Sequence, residues 1–192
     1  MILLRAYLFA GLVAHKLVWE WLKRHQRSTS ATAAMGDAPL RVRAAKLAKM
    51  LVLGGILLQT LTPWSWFPIA GDPRQLVAIG VAIYTLGLAV AIAGRVQLGG
   101  NWSDIEAAQV LTHQTVVNHG LYRYVRHPIY VGDLLLLAGL ELALNSWLVL
   151  GVFVLAPIVL SRAVREEELL KQSLTGYREY CKTSKRFIPF VV

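Results

Sequence analysis

The chain has 192 residues, of which 56% are hydrophobic and only 16% are charged. A soluble domain carries about 25% charged residues, so this composition excludes an ordinary soluble enzyme and favours a membrane protein of one domain. The formal net charge is +9, but the basic residues flank apolar blocks, so membrane topology and anionic lipid headgroups explain them better than nucleic acid does. The single cysteine excludes an internal disulfide, and no cluster of Cys and His has the spacing of a metal site.

Apolar segments predict the architecture. In chain order they lie at residues 2–22, 47–61, 75–98, 129–144 and 147–161. The third carries Gly80, Gly87 and Gly94 at a spacing of seven, nearly on one face, where we expect a neighbouring helix to pack closely. The last two are shorter than the roughly 20 residues of a spanning helix, and only Asn145 and Ser146 separate them, which predicts a tight helical hairpin. We therefore expect an all-α, polytopic membrane bundle of about five transmembrane helices, followed by an amphipathic cytoplasmic helix at the C-terminus.

The basic residues predict the orientation of this bundle. Seven Lys and Arg residues lie in 23–49, three in 95–127 and seven in 162–192, which together hold 17 of the 20. Because cytoplasmic segments of membrane proteins are enriched in Lys and Arg, all three stretches are predicted to be cytoplasmic. Five crossings then place the N-terminus outside and the C-terminus inside, in what we expect to be a bacterial inner membrane.

The hairpin also predicts a composite site. It returns the chain to the side that it left, so residues 126–128 and 162–168 are expected to lie together. Pro128 can begin a helix with His127 as its N-cap, and the first-turn amides of such a helix favour an anion. The run of three glutamates at 166–168 predicts the start of another helix, and the tyrosines on either side have ring faces that attract a sulfonium. Simpler explanations remain open: His127 as a helix cap alone, the glutamates as a solvated face, and the tyrosines as interfacial anchors.

Three ordered motifs resemble those of a known family. Residues 120–132 read GLYRYVRHPIYVG, which resembles the G-x-Y-x-x-x-R-H-P-x-Y-x-G signature of the isoprenylcysteine carboxyl methyltransferases and the related phospholipid methyltransferases. Residues 100–103 resemble the G-x-W-S element of the same family. Its final part is matched by the glutamate run, by Gly176 and Tyr177, and by the sequence RFIP at 186–189.

The resemblance implies an integral-membrane methyltransferase that uses S-adenosylmethionine. Residues 1–94 would supply N-terminal helices, and residues 95–192 would form the cofactor-binding catalytic module of the same membrane domain. The cofactor contacts implied or expected are Val117, Gly120, Tyr122, Arg126, His127, Pro128, Tyr130, Gly132, Glu167 and Tyr177. We expect Arg162, Arg165 and Glu166 to be catalytic, and Arg95, Asn101 and Trp102 to bind the acceptor.

The chemistry favours a carboxylate acceptor. A carboxylate is ionised at pH 7 and needs no general base, so alignment by Arg162 or Arg165 and desolvation suffice. We therefore expect O-methylation of a lipid or of a prenylated small molecule or peptide, at a site that faces the cytoplasm. Three alternatives remain: a phospholipid N-methyltransferase, an NADPH-dependent membrane reductase with a similar C-terminal module, and a non-enzymatic membrane scaffold.

Overall fold

The computed structural model describes residues 1–27, 40–69, 71–101 and 114–189. Its α-helices are α1 (Ile2–Arg27), α2 (Leu40–Leu61), α3 (Arg74–Leu98), α4 (Pro128–Ala143), α5 (Gly151–Ser173) and α6 (Tyr177–Thr183). Short 3-10 helices occupy Gly99–Asn101, Gly120–Arg123 and Trp147–Leu150. These described ranges contain no β-strand, and the predicted all-α class is confirmed.

Within the described part of the chain, three stretches are long and apolar enough to cross a membrane: Ile2–Arg24, Arg74–Asn101 and Trp147–Ser173. A shorter apolar stretch, Met50–Leu61, lies within α2, and α4 has 16 residues. Many large apolar side chains on α1, α2 and α5 are exposed, as lipid-facing surfaces require. The membrane helix bundle is thus confirmed, whereas the count of five crossings and the external N-terminus stay predictions.

The fifth helix departs from the sequence-based expectation. We predicted an apolar segment that ends near residue 161 and a new helix that begins at the glutamates. Instead, α5 continues from Gly151 to Ser173, so the predicted helix start was wrong. The residues between 161 and 166 include no glycine or proline, and nothing interrupts the helical hydrogen bonds there. The second arm of the hairpin is therefore not short, whereas the first arm, α4, has 16 residues and falls below the length of a spanning helix.

The tightest contact in the bundle joins α3 to α4. Gly80, Gly87 and Gly94 of α3 are buried, as their spacing predicted for a packing face. A Cβ on Gly80 would collide with the backbone of Ala143, and one on Gly87 with the backbone of Leu136. Because glycine has no Cβ, the backbones of α3 and α4 can come into direct contact at these positions.

Helix α4 contributes glycines of its own to the same interface. A Cβ on Gly132 would collide with the backbone of Ala91, and one on Gly139 with that of Tyr84. Tyr84 also donates its hydroxyl hydrogen to the carbonyl of Leu8, at 2.5 Å, and so joins α1 to this pair. The glycines alternate between the two helices along the whole of α4, which fixes the register of α4 against α3.

The hairpin turn contacts the connection between α2 and α3. The amide of Ile69 donates to the carbonyl of Asn145 at 3.2 Å, and the amide of Trp147 donates to the carbonyl of Phe67 at 2.9 Å. These two turns therefore occupy one end of the bundle. The start of α4 and the polar half of α5 lie at the other end, as the hairpin argument predicted.

The glycine interface generates a stability prediction. We expect Gly87→Ala to lower the free energy of unfolding by about 1–3 kcal/mol, because the added methyl group meets the backbone of α4 rather than a side chain that can move. Gly55→Ala is the matched control, since no atom lies within 4 Å of a Cβ at that helical position. Thermal unfolding of the two variants in detergent measures the difference, and equal stability would contradict this account of the interface.

Candidate functional site

The site begins at the N-terminus of α4. His127 is the N-cap residue and Pro128 the first helical residue, as predicted. The His127 side chain makes no capping hydrogen bond. The amide of Val131 is the first to bond within the helix, to the carbonyl of His127 at 3.2 Å. The amides of Ile129 and Tyr130 therefore precede the helical hydrogen bonds and give this end its affinity for an anion.

Glu167 is the centre of a network of charges. Its side chain is almost completely buried, with 1% of the residue exposed. It accepts hydrogen bonds from Arg126 Nε at 2.9 Å and from Arg186 Nε and Nη2 at 3.0 and 2.9 Å. His127 Nε2 lies 3.1 Å from the same carboxylate. The structure thus gives Glu167 protein partners on both oxygens, and its predicted contact with a cofactor stays a prediction.

The residues after α6 complete this network. The amide of Arg126 donates to the carbonyl of Lys185 at 2.7 Å, and the amide of His127 donates to the carbonyl of Arg186 at 3.2 Å. The amide of Lys185 returns a hydrogen bond to the carbonyl of Tyr124 at 3.0 Å. Residues 184–187, which we call the C-terminal strap, therefore run beside the Arg-His-Pro loop as a short parallel pair.

Side chains reinforce the strap. Arg126 Nη1 donates to the carbonyls of Cys181, at 3.2 Å, and Ser184. The Phe187 ring packs against the His127 imidazole, with 5.6 Å between ring centroids. The hydrogen bond to Glu167 raises the pKa of Arg186, so this guanidinium stays charged.

Three of the predicted tyrosines are buried. Tyr180 donates its hydroxyl hydrogen to the carbonyl of Tyr122 at 2.6 Å and packs edge-on against Tyr177, with 5.6 Å between ring centroids. Burial raises the pKa of Tyr180 to about 12 and also raises the pKa values of Tyr122 and Tyr177. All three hydroxyls are therefore neutral at physiological pH. Contact of Tyr122 or Tyr177 with a cofactor stays a prediction.

A second carboxylate, Glu166, is more accessible. Its side chain is 22% exposed. Tyr130 donates its hydroxyl hydrogen to Glu166 Oε2 at 2.9 Å, and the Tyr130 ring stacks on His127 with 5.4 Å between centroids. Arg162 lies one turn before Glu166 on the same face of α5. The structure thus brings together predicted residues from α4 and α5.

The remaining predicted residues surround this centre. Arg165 is exposed on α5. Val117 is partly buried in the segment that leads to Gly120, whose φ is 59°, where a side chain is strained. The amide of Leu121 donates to Gln97 Oε1 at 2.7 Å, which anchors this turn to α3. The roles predicted for Arg165, Val117 and Gly120 stay predictions.

The three predicted acceptor-binding residues differ in their surroundings. Arg95 is completely buried on α3 and lies over the Trp19 ring, 4.9 Å from its centroid. Asn101 Oδ1 accepts a hydrogen bond from the amide of Thr115 at 2.7 Å, so this side chain holds the backbone at Thr115 beside the end of α3. Trp102 lies outside the described residues.

Two contacts of the site could not be predicted from the sequence. Arg186 belongs to a recognised motif, but nothing in its local sequence reveals that it pairs with Glu167. Trp19 lies in the first apolar segment, where nothing indicates its contact with Arg95. Pro128 and Gly132 are buried, and Gly132 faces α3, so the structure gives Gly132 a packing role beside the one predicted.

Comparison with known proteins identifies relatives. The profile described as the isoprenylcysteine carboxyl methyltransferase (ICMT) family matches residues 78–172. A protein-S-isoprenylcysteine O-methyltransferase of Tribolium castaneum is 25% identical over 130 residues, which are 66% of this chain and 46% of the relative. Protein-S-isoprenylcysteine O-methyltransferase A of Arabidopsis thaliana is 25% identical over 138 residues, 70% of each chain.

A solved structure shows the same fold. It is described as the eukaryotic intramembrane Ras methyltransferase ICMT, and it superposes with a TM-score of 0.54 at 19% identity over 82% of this chain and 55% of that one. The chain therefore spans about half the length of this protein and of the Tribolium relative.

The charge network generates the second prediction. We expect Glu167→Gln to lower the free energy of unfolding by about 3 kcal/mol or more, because Arg126 and Arg186 lose their counter-charge inside the protein. Glu168→Gln is the matched control: Glu168 pairs with Lys171 at the exposed surface, and its loss should change stability by less than about 0.5 kcal/mol. Thermal unfolding measures both, and similar effects would refute the central role of Glu167.

Proposed function

We propose that the chain is a member of the isoprenylcysteine carboxyl methyltransferase family, whose profile matches residues 78–172, and that it transfers a methyl group from S-adenosylmethionine to a carboxylate on a lipidic, isoprenylcysteine-like acceptor. The observation that carries this proposal is the composite site. The Arg-His-Pro loop, the first turn of α4, the polar half of α5 and the C-terminal strap meet at one end of an apolar bundle.

The side chains of this site fit the cofactor. S-adenosylmethionine carries a carboxylate, which suits the first-turn amides of Ile129 and Tyr130. It also carries positive charge, which suits the accessible Glu166 carboxylate and the stacked rings of His127 and Tyr130. When bound, the cofactor supplies an electrophilic methyl group on a sulfonium. Glu167 contributes by holding His127 in its orientation.

Arg162 suits the acceptor. Its guanidinium is exposed and lies one turn from Glu166, so it can form two parallel hydrogen bonds to a carboxylate beside the methyl-bearing centre. Arg165 offers a second guanidinium on the adjacent side of α5. A carboxylate needs no proton removed at pH 7, so binding, orientation and exclusion of water are the tasks left to the protein.

The hydrocarbon tail of the acceptor has a place outside the polar site. The turns of α5 before Arg162 expose large apolar side chains, among them Phe153, Val154 and Ile158. We infer that the polar head of the acceptor lies at Arg162 while its tail stays among the apolar helices and lipids. Each buried methylene then contributes about 0.8 kcal/mol to binding.

Methyl transfer by the purified protein tests the proposal. With S-adenosylmethionine labelled in its methyl group and N-acetyl-S-farnesylcysteine as acceptor, we expect a product whose label is released as methanol by base, as esters require. Arg162→Gln should lower kcat/KM for the acceptor by roughly 10- to 100-fold, the size of one charge-assisted contact, and leave cofactor affinity unchanged.

Arg178→Gln, on the exposed face of α6, is the matched control for Arg162→Gln and should retain activity. Base-stable label in phosphatidylethanolamine would instead identify an N-methyltransferase. A rise in the Tm of the purified protein with NADPH but not with S-adenosylmethionine would identify a reductase. Binding of neither compound would favour a scaffold.

Sidedness of the site is a separate prediction. In a Cys181→Ser background, an impermeant thiol reagent added to intact cells should label Asp72→Cys but not Glu179→Cys. Both positions are exposed, with 58% and 72% of the side chain accessible, and they lie at opposite ends of the bundle. The positive-inside rule places position 179 in the cytoplasm. The reverse labelling pattern would invert the proposed topology.

A further inference from the structure

Helix α1 lies outside the stretch that matches the family profile, residues 78–172, yet it carries side chains that reach the site. His15 and Trp19 are one turn apart and share a face of α1. This face is directed at α3 and α4. On other sides of the same helix, Lys16 and Glu20 form an exposed pair, with 2.9 Å between Nζ and Oε1.

His15 contacts the reactive side of the site. Its Nε2 lies 3.2 Å from Oδ1 of Asp133, one of the two acids within α4. Asp133 follows Tyr130 by one turn on the same face, and Tyr130 donates a hydrogen bond to Glu166. The Asp133 side chain is 42% exposed. An acid inside an apolar helix is costly unless polar groups or water reach it, and His15 of α1 is a polar group that lies beside Asp133.

Trp19 contacts Arg95, one of the three predicted acceptor-binding residues. Its ring lies under the buried Arg95 guanidinium, at the distance of a cation–π contact. Arg95 in turn lies near Tyr122 of the signature motif and opposes the rise that burial causes in the pKa of that tyrosine. Two contacts one turn apart on α1 therefore connect this helix to Asp133 of α4 and to Arg95 of α3.

We propose that the second half of α1 forms the acceptor-side wall of the site, with His15 and Trp19 as positioning residues. His15 holds Asp133 toward the amide N–H of the acceptor's polar head, and Trp19 holds Arg95 toward its carboxylate. This inference rests on the proposed methyl transfer. It assigns to α1 a part in selecting the acceptor, which a membrane anchor would not have.

Kinetics of His15 variants test the inference. His15→Phe keeps a flat ring but removes the polar contact with Asp133. We expect a rise of roughly five- to tenfold in KM for N-acetyl-S-farnesylcysteine, with the KM and Kd for S-adenosylmethionine changed by less than about twofold. His15→Gln restores a polar group near the Nε2 position and should recover most of the lost affinity. Trp19→Leu should act in the same direction through Arg95.

The controls separate positioning from simple helix packing. Lys16→Gln and Glu20→Gln alter the same turns of α1 on its exposed side and should leave both KM values unchanged. Asp133→Asn should raise the acceptor KM as His15→Phe does, and the double variant should show no further rise, because both remove one interaction. If His15→Phe fails to fold, Asp133→Asn and Trp19→Leu provide the same readout.

The outcomes distinguish this inference from the proposed function. No methyl transfer by the wild-type protein would remove the proposed function and the α1 wall with it. An active wild type whose His15, Asp133 and Trp19 variants keep the acceptor KM would leave the function and overturn the wall. Equal rises in both KM values together with a lower Tm would also overturn it, since packing alone then explains the contacts.

Discussion

The buried Glu167 carboxylate of α5 binds three side chains from two other segments. Arg126 and His127 belong to the Arg-His-Pro loop, and Arg186 belongs to the C-terminal strap. Because the carboxylate is buried, its charge is costly without partners, and each partner is likewise costly without it. This mutual requirement brings the polar half of α5 against the start of α4. The orientation of His127, the path of the strap and the position of the neighbouring Glu166 all depend on it.

A rigid apolar frame makes this network possible. The glycines shared by α3 and α4 bring the two backbones into contact, so the N-terminus of α4 has little freedom to move. Tyr84 extends the frame to α1 through the carbonyl of Leu8. At the opposite end, Gln59 donates to the buried Glu141 at 2.8 Å and satisfies an acid inside the bundle. Glu141 near the end of α4 is therefore paired, as Glu167 is beside the start of α4.

The two adjacent glutamates perform different tasks because they face different surroundings. Glu167 points into the protein, where three side chains occupy its oxygens, whereas Glu166 is partly accessible and shares its carboxylate with the Tyr130 hydroxyl. In the proposed reaction, Glu167 holds His127 and the C-terminal strap in place, and Glu166 lies near the positive charge of the bound cofactor. Arg162 lies one turn before Glu166 on the same face of α5, where the proposed reaction uses it to orient the acceptor. The proposed α1 wall would bound the site beside α4.

Local patterns determined much of this protein. Apolar runs defined the helices, the spacing of seven between glycines predicted the α3–α4 contact, and Pro128 marked the start of α4, because each signal comes from residues close together in the chain. Tertiary structure alone decided that α5 continues through the glutamates, that Glu167 rather than Glu166 is buried, and that His15 meets Asp133. Arg126 and Glu167 are 41 residues apart, and such pairings depend on how whole helices pack, which no short stretch of sequence encodes.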